Sequence, residues 1–104
     1  MTTAKPLRIL GMGRYLPPVV SSAQLEERLG IPAGWTQRRS GVTHRHQVGT
    51  ESNSALGARA AELALADCGL ELGDVDLLLS ASASFDCPLP SQACMIKAEM
   101  KESF

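Results

Sequence analysis

Val75-Asp76-Leu77-Leu78-Leu79-Ser80-Ala81 is the stretch on which the fold class turns. Three successive leucines break the alternation of a strand with one wet face. The segment Asp74 to Ser82 therefore predicts a strand that is apolar on both sides. Such strands belong to parallel sheets with helices on both faces. The flanking sequence supplies candidate helices. Upstream, Ser52 to Cys68 places Ala55, Leu56, Ala58, Ala60, Ala61, Leu63, Ala64, Leu65 and Ala66 around all but a narrow polar stripe of Arg59, Glu62 and Asp67. That pattern predicts a helix covered on most sides. Ser52, Asn53 or Ser54 can cap it, and Gly69 followed by Leu70 can end it. Downstream, Phe85 to Pro90 reads as a Pro-rich loop. Ser91 to Met100 reads as a helix capped by Ser91, with Cys94, Met95 and Ala98 on its apolar face.

Toward the start, Leu7 to Leu10 predicts a second strand, ending at Gly11. Gly11-Met12-Gly13 resembles the opening of a dinucleotide fingerprint. Leu16 occupies the third glycine position, however, and Pro17-Pro18 stands where a helix would have to run. The simpler reading is a strand leaving through a glycine-rich turn. Ser21 to Gly30 predicts a short helix capped by Ser22 and closed by Gly30. Ile31 to Thr50 shows no period and reads as a long loop. The order strand, helix, loop, helix, strand, helix implies α/β architecture. Two strands are too few for a stable sheet, so the stretch reads as part of a larger unit.

Composition narrows the function classes. A net charge of −1 argues against a polyanion-binding domain as a whole. Between Arg28 and Thr50 there is no Asp or Glu, while Arg28, Arg38, Arg39 and Arg45 all fall there, which suggests a local anion site. The three cysteines, Cys68, Cys87 and Cys94, form no Cys-x-x-Cys pair and no metal-spaced cluster. They suit a reduced, cytoplasmic chain. Met1 to Pro6 predicts no signal peptide, and no apolar run reaches membrane-spanning length. His44 and His46 alternate along the basic stretch with no third ligand nearby, so they read as a polar surface segment rather than a metal pair or general base.

Four segments carry a resemblance. Ile9-Leu10-Gly11-Met12-Gly13-Arg14-Tyr15-Leu16-Pro17 resembles the opening strand of the β-ketoacyl-acyl-carrier-protein synthase III family of the thiolase superfamily. Trp35-Thr36-Gln37-Arg38-Arg39-Ser40-Gly41-Val42 resembles its Trp-x-x-x-Arg-(Thr/Ser)-Gly-(Ile/Val) segment. Ala60 to Gly69 followed by Asp74-Val75-Asp76-Leu77-Leu78 is similar to its helix-turn-strand. Leu89-Pro90-Ser91-Gln92-Ala93-Cys94 is similar to its Phe-Pro-Ser-x-Ala-Cys helix entry. The match runs from about Leu7 to Met100. The tail Lys97 to Phe104 departs from it, where a Leu-Gly pair and another strand are expected.

The resemblance implies part of the N-terminal half of a layered α-β-α-β-α fold, with residues 1–104 an incomplete domain and the C-terminal half absent. It implies an acyltransferase that moves an acyl group from acyl-coenzyme A onto a cysteine and joins it to malonyl-acyl carrier protein. Partners are then acyl-coenzyme A, acyl carrier protein and a second subunit, with no cofactor, metal, nucleic acid or membrane. The catalytic Cys, His and Asn would lie beyond this chain, leaving no catalytic residue within it. Trp35, Arg39 and Ser40 match the coenzyme A entrance, and Leu89 matches a residue reaching the partner subunit's acyl pocket, where many members carry Phe. An indole can stack on adenine, and a guanidinium can fork onto phosphate. The alternatives are a hydroxymethylglutaryl-coenzyme A synthase, a natural-product ketosynthase, or a truncated chain that only binds a partner.

Overall fold

The computed structural model describes residues 3–100, with the last four residues of the divergent tail outside that range. The chain forms two compact units, residues 16–51 and residues 1–15 joined with 52–104.

The first unit opens with strand β1 (Val19–Ser21) and helix α1 (Ser22–Leu29). Ser21 caps α1 rather than Ser22. Its hydroxyl accepts from Gln24 N, and the Gln24 side chain accepts from Ser21 N, a closed capping box. Ser22 is instead buried, and its hydroxyl donates to Val42 O at 2.6 Å. Gly30 ends the helix at φ 69°, a left-handed position that glycine enters without a Cβ penalty. The long loop expected over Ile31 to Thr50 is corrected by two elements, helix α2 (Trp35–Ser40) and strand β2 (His44–His46). Left-handed glycines, Gly34 and Gly41, bound α2 at both ends. β1 and β2 pair antiparallel, with Val19 opposite His46 and Ser21 opposite His44.

The second unit is organised by helix α3 (Asn53–Cys68). Ser52 caps it by accepting from Ala55 N at 3.1 Å. Gly69 closes it at φ 69°, and Leu70 N returns to Leu65 O at 3.0 Å. A 3-10 turn (Leu72–Asp74) follows, and helix α4 (Gln92–Glu99), capped by Ser91, packs on α3. Gly57 makes that packing close, since a Cβ there would stand 2.8 Å from Ile96 Cδ1. Gln92 and Ile96 therefore face α3. Cys94 and Ala98 are exposed, which corrects the expectation that they share a buried face.

Neither Leu7–Leu10 nor Asp74–Ser82 forms a hydrogen-bonded strand, which corrects the two strands read from the sequence. A strand exists by its ladder, and among the described residues none pairs with these segments. Both still lie on α3. Ile9, Leu10 and Gly11 line a trough of about 370 Å³ together with Ala61, Ala64, Leu77 and Leu79. Its walls are largely uncovered: Ile9 is 80% and Leu79 83% exposed. α3 is accordingly half-buried along much of its length, with Ser54 and Ala58 the residues of that helix that are fully buried. Gly11 and Gly13 serve close approach rather than nucleotide binding. A Cβ on Gly11 would fall 2.5 Å from Ala64 O, and one on Gly13 2.5 Å from Ala60 O.

Candidate functional site at the Trp35 helix

α1, the turn after it and α2 build the basic site from neighbouring residues. Gly30 reverses the chain, and Ile31 N donates back to Glu26 O at 3.0 Å. Pro32 O then accepts from Trp35 N at 3.1 Å, which starts α2. Trp35 and Arg39 stand four residues apart on one helix face. The Arg39 guanidinium carbon lies 5.6 Å from the centre of the indole ring, a cation–π arrangement. Trp35 remains 43% exposed. Arg39 and Arg45 pair with no carboxylate among the described residues, so their charge is open to an anion. Arg28 is held by Gln47 Oε1 at 2.8 Å. Arg38 reaches back to Ala33 O at 3.4 Å. The Ser40 hydroxyl donates to Thr36 O at 2.7 Å and accepts from Val42 N at 3.2 Å, so it closes the helix end. The surface can bind a planar base and phosphates. Nothing in it activates a nucleophile.

Behind this surface sits a residue that the sequence did not single out. Glu26 is 3% exposed, and its carboxylate accepts from Gly34 N and Thr36 N, each at 2.8 Å. The two amides lie on either side of Trp35. The Thr36 amide, then the Gly34 amide, hold this carboxyl below the ordinary glutamate value of 4.5, with Arg38 adding to the effect and burial opposing it. A single sequence offers no signal that separates Glu26 from its exposed neighbour Glu27.

Asp86 does a similar job in the second unit, also unforeseen. It accepts from Asn53 N at 2.8 Å and Ser54 N at 2.9 Å, at the start of α3, and its own N–H donates to Gln92 Oε1 at 3.0 Å. The Ser54 hydroxyl, with these amides and Gln92, lowers its pKa, against burial. Asp86 thus ties the Phe85–Pro90 loop to both helices. Leu89 on that loop is 84% exposed.

Cys94 lies in the first turn of α4, where Ser91 Oγ approaches its sulfur at 3.3 Å. Cys68 and Cys87 are half-buried, and all three thiols are free. His44 and His46 are on exposed β2 in the other unit. His46 Nδ1 bonds Pro17 O at 2.6 Å, and His44 Nδ1 meets the Thr43 hydroxyl at 3.1 Å. Among the described residues, no three His, Cys, Asp or Glu side chains are grouped to hold a metal ion, and no helix is long and apolar enough to cross a membrane.

Known proteins similar to this chain give the class of its fold. The fold aligns with 3-oxoacyl-(acyl carrier protein) synthase III from Pseudomonas aeruginosa PAO1 at TM-score 0.77 and 34% identity, covering 88% of this chain and 28% of that one. The Aquifex aeolicus VF5 enzyme of the same name aligns at TM-score 0.79 and 30% identity, over 89% of this chain and 30% of that one. The chain therefore takes part of a thiolase-like α/β fold. In sequence it is 38% identical over 94 residues to the β-ketoacyl-[acyl-carrier-protein] synthase III of Cereibacter sphaeroides, covering 88% of this chain. It is 36% identical over 92 residues to that of Rickettsia massiliae. No family model matches. The chain matches the β-ketoacyl-acyl-carrier-protein synthase III family, and spans 29% of the length of these curated relatives.

Proposed function

We propose that this chain is part of a β-ketoacyl-acyl-carrier-protein synthase III, an acyltransferase of fatty acid or related biosynthesis. The whole enzyme takes an acyl group from acyl-coenzyme A onto a cysteine and condenses it with malonyl-acyl carrier protein. Trp35 and Arg39 form the entrance for the nucleotide end of coenzyme A, with Ser40 beside them. The observation that carries this reading is the Trp35–Arg39 stack, which puts a half-exposed indole and a carboxylate-free guanidinium on one helix face. Adenine can lie on such a ring, and phosphate oxygens suit the guanidinium fork.

Coenzyme A enters as substrate, and no further cofactor is required. The enzyme works in the cytoplasm as a homodimer, with Leu89 reaching the partner's acyl pocket. A leucine there has less ring volume than the family's Phe and leaves room for a longer or branched primer. The acylated Cys and its His and Asn partners lie outside this chain, so the chain alone does not condense. Cys94 has its place at a helix start, but the unit that carries it holds no histidine to serve as the paired base.

Trp35 is the sole tryptophan, so its fluorescence reports on the entrance directly. Coenzyme A and 3′-phosphoadenosine diphosphate should quench it saturably, and pantetheine should not. Absence of saturable quenching by either nucleotide would refute the entrance.

A further inference from the structure

The turn before α2 has little of its own to fix it. Its six-residue helix is too short to be stable alone. Gly34 stands at φ 79°, and no side chain of Gly34 caps the first turn. What closes that end is the carboxylate of Glu26, delivered from the buried side of α1. Its two oxygens each take one amide, Gly34 N and Thr36 N, so the residues on either side of Trp35 are fixed to α1. This demands two acceptor atoms at once. A glutamine of the same shape presents one acceptor and one NH2 group, and the latter would face an amide donor.

We infer that Glu26 is the positioning residue of the coenzyme A entrance: its carboxylate sets the placement of the Trp35 ring and, through α2, of the Arg39 guanidinium. This rests on the entrance reading above for its ligand, but not for its structural half. α1 packs on β1, whose side chains do not ionise, and on α2, which brings Arg38 toward the carboxylate. On α1 itself the neighbouring charges are Glu27 and Arg28, while β2 carries His44, Arg45 and His46. The anionic form of Glu26 makes both bonds. A carboxyl held below the ordinary 4.5 keeps Trp35 ordered above that value and releases it as pH falls through the lowered one.

The test uses this chain, with Trp35 as reporter, in wild type, Glu26→Gln and the exposed control Glu27→Gln. Two readouts are taken: acrylamide quenching of Trp35 without ligand from pH 7 to pH 2.5, and coenzyme A titration at pH 7. In wild type and Glu27→Gln, the quenching of Trp35 should stay constant to below pH 4.5 and then rise. Glu26→Gln should be open throughout, with no acid transition. That pH signature separates Glu26 from the other groups named, and helical circular dichroism of each variant reports any loss of helix packing. Glu26→Gln should also bind coenzyme A about tenfold more weakly, the effect of one charge-assisted hydrogen bond. Equal protection and equal affinity in Glu26→Gln and Glu27→Gln would overturn the inference. Wild type that does not bind coenzyme A would refute the entrance reading, and the ligand-free readout would still judge Glu26. If Glu26→Gln loses its helical circular dichroism, the wild-type pH series decides alone. Opening of Trp35 ahead of helix loss supports the positioning role, and opening together with it overturns the role.

Discussion

Replacing Gly13 by alanine asks the segment that lies on α3 to accept one methyl group where there is no room. The new Cβ would stand 2.5 Å from Ala60 O and 2.8 Å from Leu63 C, both backbone atoms of a continuous helix. Carbon and oxygen in contact prefer a separation of about 3.3 Å, so the overlap is close to 1 Å. Helix backbone cannot yield as a side-chain tip can, and the glycine segment has to lift away. Overpacking of this kind costs about 1–3 kcal/mol. Lifting also strains the bond from Met12 N to Asp67 Oδ2, now 3.0 Å. Against this, alanine restricts the unfolded chain and returns about 0.4–1 kcal/mol. The net expectation is about 1–2 kcal/mol of destabilisation. Gly73→Ala is the control, because nothing lies within 4 Å of its Cβ position. Gly57→Ala is intermediate: its obstruction is Ile96 Cδ1 at 2.8 Å, a side-chain end that can rotate. Urea unfolding followed at 222 nm should rank Gly13→Ala lowest. With a slope of about 1 kcal/mol/M, its midpoint should fall by about 1–2 M. A Gly13→Ala midpoint equal to that of Gly73→Ala would refute the close-approach account of the Gly11-Met12-Gly13 segment.

Two further outcomes are expected. Asp86 has its pKa lowered by the Ser54 hydroxyl and the α3 amides, so it stabilises the fold above the ordinary aspartate value of 3.8, and that contribution disappears as pH falls through the lowered value. Asp86→Asn should be less stable at pH 7 and lose less on acidification, as read by acid titration of the helical signal, whereas parallel curves for the two proteins would contradict this. Incubation with radiolabelled acetyl-coenzyme A should leave no stable thioester on the chain, and stoichiometric label that disappears in Cys94→Ala would mean that Cys94 is a nucleophile after all.

The helices were legible where composition and punctuation agreed. α3 is written in its alanines, its Ser52 cap and its Gly69-Leu70 ending, and each sits as the sequence indicates. α2 was not legible because six residues span fewer than two turns, too short for a period to show. β1 and β2 are three residues each and pair across an intervening stretch, so no local pattern marks them. Leu77-Leu78-Leu79 carries the composition of a buried strand, but a ladder is a property of two chains of residues, and composition specifies only one. The basic stretch suggested a local anion site and the resemblance singled out Trp35 and Arg39 within it, which the helix joins through their i, i+4 spacing. Glu26 and Asp86 stayed hidden because their value lies in which amides they meet. Glu26 and Glu27 differ only in the side of α1 they occupy, and Ser21 and Ser22 differ by one residue in which of them caps.

The central claim is that this stretch supplies the coenzyme A entrance of a condensing enzyme. Steady-state kinetics of Arg39→Ala in the enzyme that contains it test this most directly, comparing acyl-coenzyme A with the matching acyl-pantetheine. The nucleotide end is remote from the reacting thioester and contributes mainly uniform binding. KM for acyl-coenzyme A should therefore rise about ten- to a hundredfold with little change in kcat, the magnitude of a lost charge-assisted contact. KM for acyl-pantetheine should not move. An equal loss with both substrates would contradict the assignment of Trp35 and Arg39 to the nucleotide.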